Sequence, residues 1–140
     1  LNPDNKKGRI TLITRMGRNI NEILPNIIDL ITENNKNVVW VCDPMHGNGA
    51  TFKKRKTRYF NDIMAEIEAF FNIHKEKGTV AGGIHLEMTG RYVTECIGGR
   101  YINENQDNIF NKYETSCDPR LNMYQTIEIV ERVSELINDS

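Results

Sequence analysis

The chain has 140 residues, 26% of them charged and 39% hydrophobic, with a formal net charge of −1. That length supports one domain with a real core, and the near-neutral balance gives no electrostatic basis for general nucleic-acid binding. No apolar run approaches the roughly 20 residues needed to span a bilayer, and no signal-peptide pattern opens the sequence.

"GRITLIT" (8–14) is β-branched and apolar and reads as a strand. Residues 19–33 read as a helix, with Ile20, Ile23, Leu24, Ile27, Ile28 and Ile31 at three- and four-residue spacing. Pro25 falls inside that run and marks either a kink or a late helix start. "VVWVC" (38–42) is a continuous apolar run, the pattern of a strand covered on both faces. Trp40 alternates with Val39 and Val41 and is expected in the core. Residues 44–58 read as a long polar loop. From Tyr59 to Lys77 the helical period returns, closed by Gly78. His74 is expected on the surface of that helix. "GGIHLEM" (82–88) reads as a short strand and "RYVTECIGG" (91–99) as a short helix. "NENQDNIFNKY" (103–113) holds another short helix, and "YETSC" (113–117) a weak strand. "NMYQTIEIVERVSELIND" (122–139) carries Ile127, Val130, Val133, Leu136 and Ile137 on a final amphipathic helix.

Strands alternating with helices argue a parallel sheet with helical crossovers. The chain holds about four β/α units, whereas a closed eight-stranded barrel takes about 250 residues. It therefore fits half a barrel or a small open α/β sheet. The sequence opens with Leu1 rather than Met, as expected for a piece of a longer chain. Cys42, Cys96 and Cys117 are odd in number and show no C-x-x-C spacing, which argues against a disulfide framework or a Cys-rich zinc site. Reduced thiols in a cytosolic protein are the default expectation.

Sites in such folds form at the carboxyl ends of the strands. Here the first strand ends in Arg15, the second in Asp43 and His46, the third carries His85 and Glu87, and the fourth ends in Asp118 and Arg120. His46, Glu87 and Asp118 make an N/O ligand set suited to Mn²⁺, Fe²⁺, Co²⁺ or Zn²⁺. The bland alternative is that His46 caps a turn and both acids pair with arginines. His85, on the same face as Glu87, is either a partner of the ligands or a hydrogen-bonded interior histidine, with the second favoured. "KKRKTR" (53–58) puts five cations in six positions. It is either a solvated loop or a source of contacts to a phosphorylated substrate. Arg15 is a second phosphate candidate.

"RMG" (15–17), "WVCDPMHGN" (40–48), "KTR" (56–58), "GGIHLEMTGRYVTECIGG" (82–99) and "YETSCDPRLN" (113–122) together resemble type II, plant-like 3-deoxy-D-arabino-heptulosonate 7-phosphate (DAHP) synthases. The resemblance runs over roughly residues 8–138. It implies that residues 1–140 are the C-terminal half of a single (β/α)₈ TIM-barrel catalytic domain. It also implies condensation of phosphoenolpyruvate with erythrose 4-phosphate at the head of the shikimate pathway. The family's metal ligands are a cysteine from the missing first half, then a histidine, a glutamate and an aspartate that fall on His46, Glu87 and Asp118. Mn²⁺ is the expected ion, with Co²⁺, Fe²⁺ or Zn²⁺ as alternatives. Arg15 is similar to a phosphoenolpyruvate-binding arginine, and Lys56 to a position facing the sugar phosphate. Lys56 and Arg58 are candidates to offset substrate charge, and Asp43 to orient a ligand or a water. The expected partners are the first half of the barrel and further copies of the chain, with no nucleic acid and no membrane. The expected location is the cytoplasm, or the plastid stroma in a plant-like host. The competing reading is a non-catalytic half-barrel that acts in binding or assembly.

Overall fold

In the computed structural model, which describes residues 1–100 and 109–138, a small parallel sheet is flanked by three helices. Strand β1 (Thr11–Thr14) leads through a 3₁₀ turn (Gly17–Asn19) into helix α1 (Ile20–Glu33), then β2 (Val39–Cys42). A hairpin follows, β3 (Gly49–Phe52) and β4 (Arg55–Arg58), then α2 (Phe60–Glu76), β5 (Ala81–Ile84) and α3 (Met123–Asn138). The parallel sheet has the order β1-β2-β5. Thr11 pairs with Val39 and Thr14 with Cys42, and Cys42 in turn lies beside Ile84. The expected parallel α/β arrangement is present for these strands. Among the described residues, no helix is long and apolar enough to cross a membrane.

The core lies between sheet and helices. Leu24 and Ile28 from α1, Ile63, Ile67 and Phe70 from α2, and Ile129 from α3 close on Trp40 and Cys42. Each such side chain contributes about 1.5–3 kcal/mol by leaving water. Pro25 sits within α1 without ending it. On α3 the buried face is Gln125, Thr126, Ile129 and Leu136. Ile127, Val130 and Ile137, expected on the covered face, are exposed.

Four local expectations are overturned. The polar loop at 44–58 contains the antiparallel β3–β4 hairpin, with Phe52 paired to Arg55 and Gly49 to Arg58. Its two-residue turn, Lys53–Lys54, has φ of 45° and 65°. That is the geometry Asn-Gly usually supplies, so the sequence carried no familiar hairpin signal. Residues 91–99 are not helical: Ile97 N–H donates to the Arg58 carbonyl (2.9 Å) and the Ile97 carbonyl accepts from Phe60 N–H (2.7 Å). These backbone groups are spent across the chain instead of along a helix turn.

Residues 113–117 are irregular chain running into a bend at 116–118, not a strand, because the amides of Glu114 and Thr115 donate to a buried carboxylate, Glu95. Pairing to the third strand's extension is instead a single parallel bridge, Met88 with Leu121. Of the expected helix at 103–113, residues 103–108 lie outside the described residues and 109–113 are turns and coil.

The fourth correction is His74. It is buried at 1% exposure, packed on Phe70 with ring centroids 4.6 Å apart and near Trp40 at 5.4 Å. Its Nδ1 lies 2.7 Å from the Thr79 hydroxyl, and Nε2 has no partner. Phe70 lies one turn earlier on the apolar stripe of α2, so the helical period itself turns His74 inward, and Trp40 of β2 closes over it. Burial lowers its pKa to about 4, so the folded ring is neutral. The unfolded chain binds a proton there below its ordinary value near 6.5, so stability is lost as pH falls from about 6.5 to about 4. We expect this group to account for roughly 3 kcal/mol of that loss. Denaturant unfolding of the intact protein at pH 7 and pH 4.5 checks this: His74→Phe should narrow the difference between the two pH values.

Candidate active site

The rim is organised by Asp43, the first residue after β2. It is fully buried, and a buried carboxylate needs donors. Its Oδ1 accepts from the backbone N–H groups of Met45 (3.0 Å) and His46 (3.2 Å), which folds "DPMH" into a tight turn. Its Oδ2 lies 2.7 Å from His46 Nδ1 and 2.8 Å from Arg15 Nε. Burial works to raise the Asp43 pKa, but the hydrogen bonds from the His46 ring and the two amides prevail and hold it below the ordinary carboxylate range. One residue thus ties the end of β1 to the end of β2 and fixes the His46 ring.

With Nδ1 committed to Asp43, His46 Nε2 points across the rim to Glu87 Oε1 at 3.3 Å. Asp118 completes the cluster: one ligand-capable atom from each of His46, Glu87 and Asp118 lies within 4.8 Å of the others. Each acid also has a cation beside it. Arg58 Nη1 stands 2.6 Å from Glu87 Oε2, and Lys56 Nζ 3.5 Å from Asp118 Oδ1. Partial burial opposes ionisation of Asp118, but Lys56 leads the influences that hold its pKa below the usual range.

The Arg58–Glu87 contact is close but misaligned. Arg58 Nη1 donates to the Pro119 carbonyl and Nε to the Met45 carbonyl (2.7 Å). Glu87 Oε2 is therefore buried with no hydrogen bond made. An imidazole and two carboxylates, one of them paired with Arg58 without an aligned hydrogen bond, are a donor set that fits a hard or borderline divalent cation.

Beside the cluster opens a cleft of ≈ 420 Å³, lined by His46, Thr51, Lys56, Arg58 and Asp118 among others. The hairpin forms one wall. Along β4 the chain runs from solvent into the protein: Arg55 and Lys56 are exposed, Lys56 toward Asp118, and Thr57 and Arg58 are buried. Arg15, half exposed, pairs with Asp43 at the end of β1. Arg58, expected to meet substrate, is 3% exposed and spends its guanidinium on protein groups. His85, expected in the interior, is exposed.

The sequence reading missed two glutamates that hold these parts in place. Glu66 of α2 is buried, and its Oε1 accepts the Met16 amide (2.9 Å) while Oε2 accepts the Asn48 side chain (2.8 Å). Burial leads the influences that raise its pKa. Glu66 sits on the apolar stripe of α2, between Ile63, Ile67 and Phe70, and a carboxylate at such a position was the available signal. Glu95 is the second. Above Glu66 the "RMG" and "DPMHG" turns touch through backbone: a Cβ on Gly17 (φ +55°) would stand 2.6 Å from the Gly47 carbonyl oxygen. Only glycine permits that approach.

Residues 1–134 match the family described as the Class-II DAHP synthetase family. Phospho-2-dehydro-3-deoxyheptonate aldolase AroG of Mycolicibacterium smegmatis is 45% identical over 141 residues, covering 99% of this chain and 30% of that protein. Phospho-2-dehydro-3-deoxyheptonate aldolase of Streptomyces coelicolor is 42% identical over 146 residues, covering 99% of this chain and 31% of that protein. The chain thus spans about a third of the length of these curated relatives.

Asp43→Asn would put an amide where the His46 ring needs an acceptor. Partners of this kind typically set metal affinity by 10–100-fold. We expect Asp43→Asn in the full-length protein to weaken Mn²⁺ binding by about tenfold or more. Calorimetric titration checks this, and unchanged affinity would detach Asp43 from the metal.

Proposed function

The chain belongs to the Class-II DAHP synthetase family, and on that premise we propose that it is the carboxyl-terminal half of a (β/α)₈ barrel that makes DAHP. In this reading it condenses phosphoenolpyruvate with erythrose 4-phosphate, the first step of the shikimate pathway. The observation that carries the reading is the convergence of His46, Glu87 and Asp118 within 4.8 Å beside a cleft walled by Lys56.

His46 Nε2, Glu87 and Asp118 are the groups that would hold the divalent ion, with Mn²⁺ the first choice. When bound, such an ion supplies Lewis-acid polarisation of the sugar aldehyde. The rest falls to side chains. Arg15 holds the phosphate or carboxylate of phosphoenolpyruvate, and Lys56 faces the phosphate of the sugar. Asp43 keeps the His46 ring in one tautomer and orientation. Arg58 fixes Glu87 and adds positive charge under the cleft. Three carboxylates at the rim are matched by Arg15, Arg58 and Lys56, so a divalent ion would leave the site positive. That suits two phosphate esters that must be brought together against their own repulsion. In the reaction, the enol carbon of phosphoenolpyruvate bonds to the aldehyde carbon, water adds to the neighbouring carbon, and inorganic phosphate leaves.

The half-barrel reading is supported by three parallel strands in sequence order and by the Met88–Leu121 bridge, a trace of the fourth. β1 has no partner on its outer edge among the described strands. Ile13, on that strand, is an exposed apolar side chain that the missing neighbour would cover. The remaining units of the barrel, in the rest of the protein, are the natural cover. Further copies of the protein are expected as partners in an oligomer.

In the full-length protein, His46→Ala should remove most bound metal and most phosphate release with both substrates and Mn²⁺. Residues 1–140 alone should self-associate and release phosphate at background rate. Robust turnover by a purified 140-residue monomer would contradict the half-barrel reading. Metal content unchanged in His46→Ala, by elemental analysis, would remove His46 from the ligand set.

A further inference from the structure

Glu95 lies in the "TECIGG" segment, and no role was expected of it. Its carboxylate is fully buried and takes five hydrogen bonds. Oε1 accepts from the amides of Glu114 (3.2 Å) and Thr115 (2.9 Å) and from Arg120 Nη2 (2.7 Å). Oε2 accepts from the Arg120 amide (2.8 Å) and Arg120 Nε (3.0 Å). These donors bracket Asp118 on both sides. Inside the bracket, the Thr115 hydroxyl donates to the Asp118 carbonyl (2.9 Å) and accepts from Cys117 N–H (3.2 Å). The Glu95 carbonyl accepts from the Thr57 hydroxyl (2.8 Å), between Lys56 and Arg58 on the hairpin. One residue therefore fastens the Asp118 loop by its side chain and the Lys56 hairpin by its backbone.

We infer that Glu95 is the positioning residue that presents Asp118 to the metal, by replacing the strand pairing that residues 113–120 lack with a buried carboxylate anchor. This rests on the metal reading above. Residues 113–117 have no ladder to hold them, and Asp118 reaches the cluster from the end of the bend at 116–118. A loop held at both ends by one acceptor pair keeps the ligand oxygen within reach without a metal present. The chemistry leaves little room for replacement. Every partner of the carboxylate is a donor, so a glutamine, which is isosteric, must turn its own NH₂ toward Glu114 and Thr115 or toward Arg120. Turned one way it leaves three donors without an acceptor (the Glu114 and Thr115 amides and Arg120 Nη2), and turned the other way two (the Arg120 amide and Nε).

The test uses full-length wild type, Glu95→Gln, Asp118→Asn and Arg120→Met, with Mn²⁺ alone as the probe. Free Mn²⁺ is followed by electron paramagnetic resonance, and amide exchange by mass spectrometry at residue resolution. Wild type should bind Mn²⁺, and Asp118→Asn should bind far more weakly. Failure of either removes the metal reading itself. Given both, Glu95→Gln should weaken Mn²⁺ by about 10–100-fold. It should also speed exchange at the Glu114, Thr115 and Arg120 amides, and leave Met45 and His46, anchored by Asp43, as protected as in wild type. Arg120→Met, which spares the three amide bonds, should have a smaller effect in the same direction. Wild-type Mn²⁺ affinity in Glu95→Gln overturns the inference. So does loss of protection at Met45 and His46 together with the loop, which marks a merely structural role. If Glu95→Gln does not fold, unchanged affinity in Arg120→Met overturns it.

Discussion

A carboxylate taken fully out of water must be surrounded by donors, and at the end of β2 this requirement organises the rim. Asp43 gathers four: the amides of Met45 and His46, the His46 ring and the Arg15 guanidinium. Satisfying them forces the chain into a turn immediately after the strand, aims His46 Nε2 at Glu87, and brings the end of β1 alongside. An apolar residue at position 43 would leave the same backbone with two unmet amides and a histidine free to rotate. The two glycines beneath, Gly17 and Gly47, let the turns meet closely enough for Arg15 to reach.

The same device recurs twice. Glu66 reaches up from α2 to hold the Met16 amide and Asn48, and Glu95 holds the segment around Asp118. Three buried acids from three places in the chain thus fasten the loops that carry Arg15, His46 and Asp118. Burying acids is costly unless every oxygen is supplied, and here backbone amides and polar side chains share the supply. The oxygen left short is Glu87 Oε2, at the cluster itself. The loops around the cluster are thus held firmly, while Glu87 Oε2 is held by the charge of Arg58 alone.

Apolar runs and helical periods made β1, β2, α1, α2 and α3 legible, because burial imposes its period on local sequence. The positions of Arg15, Asp43 and His46 followed from where β1 and β2 stop, whereas Glu87, expected within a strand at 82–88, lies beyond the end of β5 at Ile84. What escaped depends on contacts distant in sequence. Glu95 finds its donors 19 to 25 residues away, and His74 is enclosed partly by Trp40 of another strand. The β3–β4 hairpin escaped for a local reason. Lys53 and Lys54 take left-handed φ values at some cost, and nothing in lysine advertises a turn. "YETSC" failed as a strand because side-chain acceptors claimed the amides that a neighbouring strand would have used.

The central claim is that one divalent ion is shared by His46, Glu87 and Asp118. The most direct measurement is an anomalous difference map from crystals of the full-length protein grown with Mn²⁺ and collected on either side of the manganese edge. The account predicts a single strong peak about 2.0–2.3 Å from His46 Nε2 and from an oxygen of each of Glu87 and Asp118. Lys56 Nζ should have moved away from Asp118. A peak that leaves any of the three outside coordination distance, or full occupancy of manganese elsewhere with this cluster empty, would contradict it.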